Sequence, residues 1–118
     1  MNVAARFAIG VVALWHVYFL ILEMFLWTKP IGLKTFGLTP ERAEATKVLA
    51  ANQGLYNGFL AAGLIWSIMP SIHGPHVALF FLSCVIIAGV YGGITASRKI
   101  LYVQALPAVV ALILLHMR

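Results

Sequence analysis

Apolar positions fall into four long runs, separated by stretches that hold eight of the eleven charged residues. Residues 7–27 are mostly apolar, with only His16 and Glu23 able to ionise. Later runs cover about 48–69, 77–97 and 100–117. A run of about 20 apolar residues is long enough to cross a bilayer core of about 30 Å, so the pattern predicts four membrane-spanning helices. The second should begin before the membrane. Thr39 suits an N-cap, Pro40 the first helical position, and Glu41 and Glu44 the positive end of the helix dipole. The helix is therefore expected over 40–69. Pro70, Gly74 and Pro75 break the chain after it, and Arg98 and Lys99 mark a still shorter link. Short links make successive helices antiparallel. The expected fold is an all-α, single-domain, up-down bundle of four transmembrane helices over residues 1–118.

Composition strengthens the membrane reading. Mean hydropathy is +1.00, and of the 118 residues 63% are hydrophobic and 9% charged. A soluble domain of this size has too much surface to hide so much apolar material. The net charge of +5 comes from dispersed residues, not a basic stripe with interleaved aromatics, so nucleic acid is not an expected partner. Lone Cys84 excludes an intrachain disulfide. The first run is longer than the apolar part of a signal peptide, and bulky residues stand where cleavage would need small ones, so it is expected to remain as an anchor.

Basic residues also predict orientation. Lys29, Lys34, Arg42, Lys47, Arg98 and Lys99 fall on one side of the four runs, Arg6 and Arg118 on the other. The positive-inside rule then puts both basic loops in the cytoplasm and both termini outside. Trp27 and Tyr102 would mark the inner interface and Trp66 the outer one.

An acid inside such a helix is expensive and is a functional-site hypothesis by default. Glu23 lies one turn from the inner end of the first run. At similar depth the other runs carry Asn52 and Gln53, Tyr91 and Thr95, and Gln104. His16 shares the face of Glu23 at a spacing of seven, Asn52 that of Tyr56, and Gln53 that of Asn57. In one reading these groups are interhelical hydrogen-bonding glue. In the other they line a cytoplasm-facing pocket that binds a ligand or proton through Glu23, His16, Asn52, Gln53, Tyr56, Asn57, Tyr91 and Gln104. Convergence from every helix favours the pocket. His73, His76 and His116 have no distinctive ligand spacing, so no metal or other cofactor is expected. Glycine stripes at Gly54 and Gly58 and at Gly89 and Gly93 read as close helix packing, within the bundle or in a homo-oligomer. Pro107 should disturb the last helix by crowding the carbonyl of Val103.

Four segments carry a resemblance: HVYFLILEMFLW (16–27), LAANQGLYNGFLAAGL (49–64), CVIIAGVYGGIT (84–95) and ILYVQALPAVVAL (100–112). Together they resemble the bacterial membrane-protein family known as domain of unknown function 1304. The resemblance implies a small four-helix inner-membrane protein and brings no catalytic residue. Looser fold-level analogies reach small multidrug-resistance transporters and four-helix eicosanoid and glutathione enzymes, whose full motifs are absent. The leading expectation is small-molecule or proton/cation-linked binding or transport centred on Glu23. A membrane enzyme acting on a lipophilic substrate and a structural subunit are the alternatives. The expected partners are the lipid bilayer, a small-molecule or lipid ligand, and further copies of the chain.

Overall fold

In the computed structural model, which describes residues 1–117, 84% of the chain is helical and the described residues form no strand. Five helices follow in order: α1 (Val3–Met24), α2 (Pro30–Phe36), α3 (Pro40–Ile68), α4 (Gly74–Thr95) and α5 (Arg98–Leu115). Three of them, α1, α4 and α5, are long and apolar enough to cross a membrane. The longest, α3, is less apolar. It begins with a charged segment and carries Asn52, Gln53 and Asn57 in its middle, which dilute its hydropathy.

The caps follow from the sequence. Asn2 caps α1 by accepting from the Ala5 N–H at 2.7 Å, and Thr39 caps α3 by accepting from the Arg42 N–H at 3.2 Å. The apolar run beginning at residue 7 is extended backwards by the Asn2 cap, and α1 ends at Met24 rather than at 27. Short α2 lies in a stretch expected as a link. Its signals were Pro30 at the first helical position and Gly37 beyond its last. Gly37 adopts φ 63° and its N–H bonds the Leu33 carbonyl. In α5, Leu101–Ala105 opens into a wider π turn in which the Leu106 N–H reaches the Leu101 carbonyl. This widening comes just before Pro107, the residue expected to disturb the helix.

The described chain divides into two compact units, residues 1–14 with the stretch from 60 onward, and residues 15–59. In the first, Ile9, Val12 and Ala13 of α1 pack with Leu64 of α3, Ala78, Leu82 and Val85 of α4, and Ala108 and Ala111 of α5. Four helix ends gather at one end of this unit. The Asn2 amide donates to the carbonyls of Leu114 and Met117, both at 2.8 Å, and Arg6 Nη1 donates to the Ile68 carbonyl at 2.6 Å. These bonds satisfy carbonyls that a helix C-terminus leaves open. Gly74 presses on the Ser67 carbonyl so closely that an added Cβ would lie 2.5 Å from it. Gly89 and Gly93 admit α5 against α4: a Cβ on Gly89 would stand 2.7 Å from the Ala105 nitrogen.

In the second unit α1 and α3 meet at Gly54 and Gly58. A Cβ on Gly54 would lie 2.6 Å from Met24 Cγ and 3.2 Å from the Leu20 carbonyl oxygen. Below this crossing α2 folds back on the 25–29 turn. Gly32 is buried there, and its hypothetical Cβ would fall 2.0 Å from the Leu26 carbonyl oxygen. Trp27 anchors the turn. Its indole N–H donates to Thr46 Oγ1 at 3.1 Å, and its ring lies 4.8 Å from that of Phe36.

Candidate functional site

The α1–α3 crossing in the second unit determines what Glu23 meets. Because Gly54 has no side chain, the backbones come close enough for the side chain one turn further along α3 to reach Glu23. That residue is Asn57. Its Nδ2 donates to Glu23 Oε1 at 2.5 Å. Asn57 is 6% exposed and Glu23 is half-buried. A buried amide without a partner would be costly, and the carboxyl group supplies that partner.

No basic residue among the described residues forms an ion pair with Glu23. Lys47 is paired instead with Glu44, on the exposed side of the first turns of α3. Beside Glu23 a groove of about 330 Å³ opens, with Phe25, Trp27, Thr28, Lys47 and Val48 also among its walls. It combines a carboxyl group, two aromatic rings and a hydroxyl, and the one ammonium at its rim is already engaged by Glu44. Such a wall can hold a proton or an organic cation at Glu23, with the rings facing the cation's apolar body.

The remaining sequence candidates are distributed as follows. His16 is fully buried on α1, its ring 6.3 Å from that of Phe19 and nearly perpendicular to it. Asn52, Gln53 and Tyr56 are on α3 with exposed side chains. Tyr91 is 70% exposed on α4, and Gln104 sits half-buried in the wide turn of α5. Depth alone associated Glu23 with Asn52 and Gln53. The structure instead pairs it with Asn57, because the close approach at Gly54 turns that edge of α3 toward α1. The groove walls from 25–29 were not among the sequence candidates, since the turn is shaped by α2. A second hollow, of about 280 Å³, lies in the first unit near Arg6, Ser67, Ser71 and Pro75. Arg6, read from sequence only as a topology charge, is the cap of α3 there.

The chain is 34% identical over 104 residues to Uncharacterized protein YpaA of Lactococcus lactis subsp. lactis (strain IL1403), an alignment covering 86% of this chain and 87% of the relative. No solved structure matches it significantly. Residues 10–116 match the family described as Protein of unknown function (DUF1304), and the chain therefore belongs to that family.

Proposed function

We propose that this chain is a bacterial inner-membrane protein whose four long helices all cross the bilayer, and that the Glu23–Asn57 pair binds a proton or a small organic cation, exchanging one for the other during binding or transport. The hydrogen bond from buried Asn57 to Glu23, beside an open groove and without a basic partner, carries this reading.

A parity argument supports α3 as the fourth span. The N-termini of α1 and α4 lie at the same end of the first unit, where Arg6 of α1 holds the Ile68 carbonyl and Gly74 of α4 presses on Ser67. If α1 and α4 cross the membrane in the same direction, the chain between them must return, and α3 is the long helix available. Its 29 residues span about 43 Å at 1.5 Å each, enough for the core and an interfacial extension. The basic residues of the 29–47 and 98–99 segments then fall at the cytoplasmic end, with both termini outside.

The probe for the site is tetraphenylphosphonium, a lipophilic cation suited to aromatic walls and a carboxylate. Purified protein in weakly buffered detergent should bind it saturably and release protons on binding. Glu23→Gln, which keeps an acceptor for Asn57, should remain folded and lose both signals. Equal binding and proton release by the wild type and Glu23→Gln would sink the proposal.

A further inference from the structure

We infer that the exposed face of α3 formed by Leu49, Asn52, Tyr56 and Phe59 is where two copies of this chain pair, through reciprocal hydrogen bonds between their Asn52 amides. The inference rests on the reading of α3 as a membrane span. Leu49 is 70% exposed, Tyr56 53% and Phe59 55%, and Asn52 and Gln53 are exposed beside them. Neither amide side chain makes a hydrogen bond to another described residue. Asn52 lies about 8 Å deeper along the helix than Lys47. At that depth lipid offers amides no hydrogen-bonding partner, so exposure to hydrocarbon is unfavourable.

Three features favour a second copy as the partner. First, a carboxamide both donates and accepts, so Asn52 on a two-fold axis can donate to the partner's Asn52 and accept from it. That is the self-complementarity an isologous contact needs. Second, residues 49, 52, 56 and 59 follow the alternating three-four spacing of a two-helix seam, in which a single Asn fixes register and copy number. Third, residues 48–59 carry no charge, so nothing on the face repels its own copy. Tyr56 and Phe59 are already set edge to face at 5.9 Å, which fixes part of the seam before pairing.

The test uses full-length protein in native membranes, with Cys84 replaced by Ala and single cysteines placed in turn. Oxidation should cross-link Leu49→Cys and Phe59→Cys, which both retain Asn52, into dimers. Phe7→Cys and Ile87→Cys, on comparably exposed parts of α1 and α4, should stay monomeric. In bicelles, labelled Asn52→Val should dimerise about eightfold more weakly, as expected for two membrane hydrogen bonds, and Asn52→Gln should recover part of the loss. Cross-linking equal to the Ile87 control, or an unchanged Asn52→Val affinity, overturns the inference. Labelling of Asn52→Cys by a membrane-impermeant maleimide separates the two levels. Protection without cross-linking keeps the span and rejects the interface. Ready labelling rejects the span.

Discussion

The Glu23–Asn57 bond makes a quantitative demand on stability. Deleting either partner alone is hard to interpret, because two effects oppose each other. Glu23→Ala removes an acid that is costly inside a membrane helix, but it strands the 6%-exposed Asn57 amide. Asn57→Ala leaves Glu23 short of one donor, but Glu23 borders an open groove where water can substitute. A double-mutant cycle cancels these single-site terms and leaves the coupling. Hydrogen bonds between membrane helices average about 0.6 kcal/mol and reach about 1.7 kcal/mol in such cycles. The buried donor here should place the coupling in the upper part of that range, at about 1 kcal/mol or more. Repeating the cycle with Glu23→Gln in place of wild-type Glu23 should preserve at least half of it, since the amide carbonyl accepts the same donor. The assay is reversible unfolding in bicelles by added dodecyl sulfate, followed by tryptophan fluorescence. A coupling below about 0.3 kcal/mol would show that the two side chains do not support each other and would remove the basis of the proposed site.

Further outcomes follow from the packing. Gly32→Ala would put a methyl 2.0 Å from the Leu26 carbonyl oxygen, so α2 must lift away from the 25–29 turn, and limited proteolysis between residues 25 and 39 should accelerate. Gly89→Ala meets the Ala105 backbone at 2.7 Å and should lower stability by about 1–3 kcal/mol in the same unfolding assay. Gly10→Ala, which has nothing within 4 Å, should be neutral or stabilising by up to about 1 kcal/mol. Glu23→Lys offers Asn57 no acceptor and adds a second ammonium beside Lys47, so the amount of protein recovered in the membrane fraction should fall sharply.

Much of the helical layout was legible because its signals are local. Asn2 and Thr39 bond the helix starts they precede, Pro40 opens α3, and apolar runs extend through α1, α4 and α5. The ends of α1 were less legible. Asn2 starts it earlier than the apolar run suggests, and the 25–29 turn ends it while the sequence remains hydrophobic. The missed α2 was marked by Pro30 and Gly37, but seven residues are too few to establish a helical hydrophobic period. The partner of Glu23 was the hardest element to read. Depth along four helices leaves the rotation of each one open, and a rotation of one residue exchanges Asn57 for its neighbours. A contact between backbones sets that rotation, at Gly54 and Gly58.

The polarity of α3 is therefore not uniform around the helix. Its polar side chains divide by face. Asn57 turns toward α1 and meets Glu23, while Asn52 and Gln53 are exposed. If the inward amide served only to join helices, a neutral acceptor on α1 would do so at less cost than an acid, and no groove would need to border it. If the outward amides faced only lipid, Leu at both positions would be cheaper. On the two proposals made above, the faces have different explanations: a ligand or proton for the inward face and a hydrogen-bonding partner for the outward one. They are also separable, since Glu23→Gln should alter cation binding without changing Leu49→Cys cross-linking, and Asn52→Val should weaken dimers without abolishing proton release from the Glu23 site. If both substitutions instead abolished both properties, α3 would act as one coupled element, and the division of its faces into two tasks would be wrong.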